Sequence, residues 1–278
     1  MTPNSLRILV CTLLCVLAAP APAASSVENL VQRKAEVLHL LHKKAKKALA
    51  NAAQDRVFAD YFTATDAAER HRLKDHIDHI SLSLQGRVHS GEMCLIDATG
   101  SEISRIVGNR IAADLAHDEK ATSFFAPGFA RSPRTVFIAP LYLSADVHKW
   151  VVAYATPVTT GGVKRALLHY ELSLEIYQSL LNRDLSGPAT FLMAIDGSGH
   201  VLADSRQRIA VVARADSVTA ADYFATFRFG DHDFAGLRQQ IDRGGAVTDS
   251  RGQRFDAAYA AVEDWTLVAF QAVAGDAS

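Results

Sequence analysis

Apolar positions recur at helical spacing near the start of the chain. Between Val27 and about Asn51 they follow one another at intervals of mostly three and four residues: Leu30, Val31, Val37, Leu38, Leu41, Ala45, Ala48 and Leu49. This spacing predicts one long amphipathic helix, and Ser25 or Ser26 can cap its first turn. Such a helix is roughly 37 Å long, which exceeds the width of a small domain. We therefore expect it to brace a larger body.

A second helical stretch follows after a break near Thr63 to Asp66. It runs from Ala67 to about Val88, and its apolar stripe consists of Leu73, Ile77, Ile80 and Leu84. This regular stripe predicts that the second helix also packs on the rest of the chain.

Strand-like patterns replace the helical period after this point. The predicted strands are Met93–Asp97, Glu102–Val107, Arg134–Ala139, Trp150–Val158, Val163–Leu172, Phe191–Asp196, His200–Asp204, Ala246–Asp249, Arg254–Val262 and Trp265–Ala272. Helices are predicted at Leu174–Asn182 and Phe234–Asp242, while Arg206–Ala220 is ambiguous. Hairpin-like connections favour antiparallel sheets, so the fold class is α+β.

Two echoes indicate an internal duplication. Leu95–Gly100 and Ala194–Gly199 each combine an apolar strand with Asp, a small residue, Ser or Thr, and Gly. In addition, Ala153-Tyr154-Ala155 is repeated as Ala258-Tyr259-Ala260. Repeats at this distance predict tandem modules. We place the bracing helices at 27–88, the first module at 89–184 and the second, smaller module at 185–272.

The first residues indicate the compartment. Arg7 precedes an uncharged apolar run from Ile8 to Ala19, and Ala21-Pro22-Ala23 resembles a cleavage site. Residues 1–23 are therefore predicted to be a signal peptide and the protein to be periplasmic or secreted, with an uncleaved membrane anchor as the alternative. Cys11 and Cys15 would leave with the signal, so Cys94 would remain without a disulfide partner.

Charge excludes one class of partner. The chain has 29 Lys and Arg against 30 Asp and Glu, a formal net charge of −1, so no basic footprint for nucleic acid is present. The basic run Lys43, Lys44, Lys46 and Lys47 is either a solvated helix face or a contact for anionic lipid. The apolar spacing of the long helix serves either a homodimer seam or packing on the chain's own modules.

Several segments together resemble a known family. They are Phe124-Phe125, the run from Thr135 to Ser144, Ala155-Thr156-Pro157-Val158, the strand from Ala166 to Leu174, and the closing run from Val262 to Val268. Together with the long helix and the Asp-x-x-Gly hairpin, they look like the double Cache sensor modules of bacterial chemoreceptors, histidine kinases and cyclases. The resemblance covers about Val27 to Ala272.

The resemblance implies two PAS-like modules, of which the first and membrane-distal one binds a small ligand. Carried over segment by segment, the ligand-facing residues are Phe125, Arg134, Phe137, Tyr142, Trp150, Tyr154 and Glu171. The aromatic residues would form the walls of the pocket, and Glu171 would hold a cationic or hydroxyl-bearing group. The alternative for Phe137 and Tyr154 is an ordinary place in the core.

The chain departs from the family pattern in three respects. No Arg-x-Trp-Tyr run, the mark of the amino-acid-binding subgroup, occurs between Arg105 and Phe137, so amino-acid ligands are not supported. Glu171 stands where the family usually has Asp. Neither a second membrane span nor a cytoplasmic output domain is present in this sequence, so we expect a separate membrane protein to receive the signal.

Other candidate chemistry is weaker. His71, His76 and His79 share one helical segment, but the step of five residues turns His71 away from the other two, so we assign no metal site. The sequence contains no nucleophile elbow, zinc-protease motif or phosphate loop. Cys94 lies in a strand whose alternation predicts burial. We therefore predict neither an enzyme nor a cofactor.

Two functions remain open. In the first, the protein is an extracytoplasmic sensor whose first module binds a metabolite and whose loaded form acts on a membrane partner. In the second, it is a ligand-independent scaffold that docks on a membrane kinase, cyclase or chemoreceptor.

Overall fold

The computed structural model describes residues 25–88, 91–185, 187, 189–209, 219–225, 234–244 and 246–273 of the 278-residue chain. The predicted signal peptide, residues 1–23, and residues 210–218 of the ambiguous segment lie outside the described residues. Within the described residues, no helix combines the length and apolar character needed to cross a membrane.

The long first helix is confirmed, and its start has a clear physical cause. The Ser25 hydroxyl accepts a hydrogen bond from the Glu28 N–H at 3.2 Å, and Glu28 Oε2 accepts one from the Ser25 N–H at 2.6 Å. This capping box satisfies two backbone donors that the first turn would otherwise leave without partners. In the described residues the α-helices are α1 (Ser26–Ala52), α2 (Arg56–Thr63), α3 (Ala67–Val88), α4 (Phe125–Ala130), α5 (Leu174–Asn182), α6 (Ala220–Ala225) and α7 (Phe234–Asp242).

The strands form two separate antiparallel sheets, as the hairpin-like connections predicted. The first sheet contains β1 (Glu92–Asp97), β2 (Glu102–Val107), β3 (Arg110–Ile111), β4 (Phe137–Ile138), β5 (Tyr142–Leu143), β6 (Trp150–Thr160) and β7 (Val163–Ser173). The second contains β8 (Thr190–Ile195), β9 (Val201–Asp204), β10 (Val247–Thr248), β11 (Arg254–Val262) and β12 (Trp265–Ala272). The α+β class is therefore confirmed.

The strand order repeats between the sheets. The first sheet has the order β3-β2-β1-β7-β6-β4, with β5 also paired to β6, and the second has β10-β11-β12-β8-β9. Thus β2-β1-β7-β6 corresponds to β9-β8-β12-β11. The two Asp turns also match, because Gly100 and Gly199 both adopt left-handed φ angles, of 96° and 87°, which glycine tolerates best. The internal duplication read from the sequence is therefore present in the fold.

One predicted strand is much shorter than expected. Arg134–Ala139 was predicted to be extended, but only Phe137–Ile138 pairs with β6. Arg134 has a φ of 69°, which is left-handed and incompatible with a strand. The sequence pattern also missed α2, α4, α6, β3 and β5, which are all short.

The long helix packs against both sheets. We call the sheet face toward α1 the inner face and the opposite one the outer face. His42 of α1 is fully buried, and its Nδ1 lies 2.6 Å from the Tyr154 hydroxyl of β6. The same imidazole packs edge-on against Trp265 of β12, with 5.1 Å between ring centroids. One apolar cluster thus connects α1 with the inner faces of both sheets, as expected of a bracing helix. A homodimer through α1 stays a prediction.

Candidate functional site

A cavity of about 260 Å³ lies on the outer face of the first sheet. Strands β1 and β7 form its floor, while β5, the segment after it and the residues just before α4 form its walls. The lining residues are Glu92, Cys94, Glu119, Thr122, Ser123, Phe124, Tyr142, Leu143, Ser144, Ala145, Asp146, His169 and Glu171. A cavity of this size can hold a small polar molecule or ion together with water.

Helix α4 closes the same face beside the cavity. It can approach β6 and β7 closely because Gly128 has no side chain: a Cβ there would lie 2.7 Å from the Ala155 Cβ. The cluster beneath the helix includes Phe125, Ala155 and Leu167. One half of the outer face is therefore packed with apolar side chains, and the other half is open.

The open half is floored by four polar side chains, Glu92, Cys94, His169 and Glu171, which we call the polar tetrad. In the register of β1 and β7, Glu92 lies opposite Glu171 and Cys94 lies opposite His169. Alternation along each strand places all four on one face. Each is at most 3% exposed, so two carboxyl groups, a thiol and an imidazole are buried side by side.

Part of the tetrad's hydrogen-bonding capacity is satisfied within the site. The Tyr142 hydroxyl donates to Glu171 Oε1 at 2.6 Å and lies 3.3 Å from His169 Nε2. The Cys94 thiol donates to Glu92 Oε1 at 3.1 Å. Phe124 stacks on the His169 ring with 3.9 Å between centroids. These contacts fix the orientation of the tetrad side chains.

Two buried atoms of the tetrad lack a partner. Among the described residues, nothing hydrogen-bonds to Glu171 Oε2 or to His169 Nδ1. A buried polar atom without a partner costs about 1–3 kcal/mol, and more if it is charged. These two atoms are therefore available for hydrogen bonds or coordination to a bound group.

The cavity is strongly acidic. Its lining includes four carboxyl groups, those of Glu92, Glu119, Asp146 and Glu171, and no Lys or Arg among the described residues. Arg105 does not line the cavity, but its guanidinium lies 3.2 Å from the lining residue Asp146, as well as 2.9 Å from Asp114 and 3.6 Å from Glu102, so it pairs with one of the four lining carboxyl groups.

Burial shifts the protonation of these groups. It raises the pKa of Glu92 and of Glu171, and the charge of Glu171 raises that of Glu92 further. Burial, followed by the charges of Glu102 and Asp146, raises the pKa of Glu119 to about 7. Burial also lowers the pKa of His169 to about 3, so this imidazole is neutral. Glu92, Glu119 and Glu171 therefore hold their protons more tightly than exposed carboxyl groups do, and a bound cation would compete with those protons for the carboxylate oxygens.

The tetrad can be compared with the residues at the corresponding positions of the second sheet. Strand β8 corresponds to β1 and β12 to β7, so Phe191 and Phe270 are paired in the second sheet as Glu92 and Glu171 are in the first. The counterparts of Cys94 and His169 are Met193 and Val268, which are likewise paired. All four counterparts are apolar and buried. Polar side chains at these positions are thus not needed to build the fold.

Solved structures with the same architecture come from sensory proteins. The sensory domain of the Campylobacter jejuni chemoreceptor Tlp3 with isoleucine bound has a TM-score of 0.65 at 11% identity, over 89% of this chain and 91% of that domain. The extracellular domain of rpHK1S-Z16, described as a histidine kinase, has 0.61 at 14% identity, over 89% and 93%. The ligand-binding domain of the Pseudomonas fluorescens chemoreceptor CtaA with L-alanine has 0.59 at 13% identity, over 90% and 97%.

The chain has the fold of these sensory domains. The resemblance to double Cache modules is therefore confirmed at the level of the fold. No family model matches the sequence, and no curated protein is significantly similar to it.

The structure separates the seven predicted ligand-facing residues into three pairs and the exposed Arg134. Tyr142 and Glu171 line the cavity and contact each other. Phe125 and Phe137 belong to the apolar half of the same face, and Arg134 is exposed. The third pair, Trp150 and Tyr154, points to the inner face, where Trp150 packs on Tyr223 and Tyr154 contacts His42. A ligand-binding role for any of the seven stays a prediction.

Several lining residues were not found from the sequence, namely Glu92, Cys94, Glu119, Phe124, Asp146 and His169. Cys94 was predicted to be buried, which is confirmed, but it was not linked to a site. One signal was available: aligning the two Asp turns places Glu92 against Phe191 and Cys94 against Met193. A charged residue at a position where the duplicate is aromatic indicates a functional requirement.

Proposed function

We propose that this protein is an extracytoplasmic sensor that binds a small, positively charged ligand in the first-module cavity and acts on a separate membrane partner. One observation carries the proposal: Glu171 lines an acidic cavity and has a buried oxygen, Oε2, without a hydrogen-bond partner among the described residues, while the duplicated module has Phe at the same position. The fold shared with chemoreceptor sensory domains supports a sensory role.

The charge of the lining supports a cation over an amino acid. Isoleucine in Tlp3 and L-alanine in CtaA each carry an ammonium and a carboxylate group. This cavity presents four carboxyl groups to an ammonium group but, in its described lining, no Lys or Arg to a carboxylate. Transfer of an unpaired carboxylate into such a site is costly. A cation without a carboxylate fits these residues better.

The contacts of α1 support a route from the cavity to the second module. Tyr154 and Tyr170 stack in adjacent strands directly beneath the cavity floor, with 4.9 Å between ring centroids. The Tyr154 hydroxyl meets both His42 of α1 and, at 2.7 Å, the Tyr177 hydroxyl of α5. A ligand that shifts β6 and β7 can therefore displace α1 and α5, which also contact the second sheet.

Thermal unfolding with a ligand panel tests the proposal. The panel contains organic amines, divalent metal ions, amino acids and simple carboxylates. We expect at least one cation to raise the melting temperature, because a ligand that binds only the folded state stabilises it. Glu171→Gln should remove this shift. Glu175→Gln is the matched control, since Glu175 is an exposed carboxylate of the same module that pairs with Lys149.

Two results would contradict the proposal. One is stabilisation by carboxylates and by no cation. The other is the same cation shift in wild type and Glu171→Gln, which would place the binding site elsewhere.

A further inference from the structure

Donor atoms of three residues lie close together beside the cavity floor, to which two of these residues belong. Ligand atoms of Glu92, Cys94 and Glu102 lie within 4.8 Å of one another, and each of the three residues is at most 5% exposed. Glu92 and Cys94 belong to the polar tetrad, while Glu102 reaches the same place from β2. Donor atoms this close can approach a single ion after small side-chain rotations.

The kinds of donor indicate which cation fits. Two carboxylates would serve an ammonium group or a hard metal ion equally well, but a thiol offers an ammonium group little. Zn²⁺ and related divalent ions bind thiolate sulfur at about 2.3 Å and carboxylate oxygen at about 2.0–2.2 Å. Cys94 therefore favours a metal ion of intermediate softness over an organic amine.

A second, independent observation points to a ligand at this place. Glu171 lies opposite Glu92, and its buried Oε2 has no hydrogen-bond partner among the described residues. His169 lies opposite Cys94, and its buried Nδ1 is likewise without a partner in that part of the chain. A carboxylate and a neutral imidazole are the common completing ligands of such ions.

The existing contacts of Glu102 leave room for coordination. Its Oε2 accepts a hydrogen bond from the Ala116 N–H at 2.6 Å and lies 3.6 Å from the Arg105 guanidinium. A carboxylate has a second oxygen, so Glu102 can keep these contacts and still bind an ion. They would hold the carboxylate in place, as supporting contacts of metal ligands commonly do.

We propose that the cation is a divalent transition-metal ion of the Zn²⁺ class, bound by Glu92, Cys94 and Glu102 and completed by Glu171 or His169. This inference rests on the proposed function, whose ligand it assigns to a chemical class. The thiol proton leaves to solvent as the sulfur coordinates the ion. Glu92, Cys94, His169 and Glu171 also line the cavity of about 260 Å³, so water or an exchangeable ligand would approach the ion from that side.

Cobalt substitution tests the proposal directly. The full chain carries Cys11→Ser and Cys15→Ser, so that Cys94 is the only thiol, and is freed of metal with a chelator. We expect one equivalent of Co²⁺ to produce a thiolate-to-cobalt charge-transfer band, and Zn²⁺ to displace it. Cys94→Ser should abolish the band and weaken Zn²⁺ binding in calorimetry by roughly tenfold or more.

Further variants keep the test decisive if Cys94→Ser fails to fold. Glu102→Gln should retain the band but weaken Zn²⁺ affinity, while Glu175→Gln, at an exposed carboxylate of the same module, should change neither. Absence of the band in the otherwise wild-type chain overturns the metal assignment.

Titrations with amines distinguish a failure of this inference from a failure of the proposed function. Methylamine and 1,4-diaminobutane are titrated into the metal-free protein. If they stabilise it through Glu171 while Zn²⁺ does not, the metal assignment is wrong and the proposed function stands. If neither metals nor amines bind, both fail.

Discussion

The outer faces of the two sheets share one strand order but have opposite chemistry. In the second module, Phe191 and Phe270 stack with 4.5 Å between centroids and Phe255 packs edge-on against Phe191. In the first module, Glu92 and Glu171 occupy the positions of that stacked pair, beneath an open cavity. The second face is filled for stability, as cores usually are.

This difference shows that the polar residues of the first outer face reduce the stability of the fold. Burying two carboxyl groups, a thiol and an imidazole gives up apolar packing and leaves polar atoms without partners. The second sheet demonstrates that the same framework accepts apolar side chains at all four positions. The polar set in the first module therefore supports the proposal that this module binds a ligand.

Transplanting a carboxyl group into the second module is the harshest test of the comparison. Phe270→Glu removes a fully buried ring and buries an acid among Phe191, Phe255 and Leu237. We expect the free energy of unfolding to fall by about 4 kcal/mol or more, as measured by urea unfolding. Phe270→Leu is the control and should cost much less. A loss equal to that of Phe270→Leu would show that the second face tolerates charge.

The stability of the packing between the inner faces and α1 should depend on pH because of His42, which contacts both modules. Burial lowers the pKa of His42 from 6.5 to about 4, so the folded state holds the imidazole neutral. Stability is intact above pH 6.5 and falls as the pH drops toward 4, because the unfolded chain then binds the proton more readily. The loss should amount to about 3 kcal/mol.

Unfolding curves of wild type and His42→Gln, measured at several pH values, check this prediction. The variant loses the contact with Tyr154 at every pH, so the relevant quantity is the pH slope. We expect the wild type to lose stability more steeply between pH 6.5 and 4. Parallel profiles would contradict a buried neutral His42.

Replacing an ionisable group of the polar tetrad with a neutral one should stabilise the first module. Glu171→Gln keeps an acceptor for the Tyr142 hydroxyl but removes a buried ionisable group. In protein free of metal and ligand, we expect a gain of about 1–2 kcal/mol in unfolding free energy, detected by chemical denaturation. A clear loss of stability would mean that Glu171 serves the fold.

The smallest effect is expected at Arg134, which lies outside the lining of the cavity. Its side chain is exposed, so Arg134→Ala should alter stability by no more than about 0.5 kcal/mol and leave ligand-induced thermal shifts unchanged. Loss of the thermal shift in this variant would restore Arg134 to the binding site and extend the site beyond the cavity.

Local patterns predicted most of the fold, because the spacing of apolar residues within a short segment distinguishes helices from strands. The face of a residue was harder to predict. Tyr154 and Tyr259 occupy matching Ala-Tyr-Ala segments, yet Tyr154 packs against α1 whereas Tyr259 lies on the outer face near Arg238 and Asp242. A shift of one residue in register reverses every side chain of a strand.

The candidate site was predicted only in part for a related reason. Tyr142 and Glu171 came from the family resemblance, but Glu92 and Cys94 reach the cavity only through the pairing of β1 with β7. These strands are separated in sequence by most of the first module, so no local pattern joins them. Trp150 and Tyr154 were placed in the correct strand, and its pleat turns them to the opposite face.

The decisive experiment is a crystal structure grown with the cation that most stabilises the protein. We expect density for that cation in the first-module cavity, within bonding or hydrogen-bonding distance of Glu171 and at least one other tetrad residue. Density for the cation elsewhere, with the tetrad making no contact to it, would show that the tetrad is not the binding site.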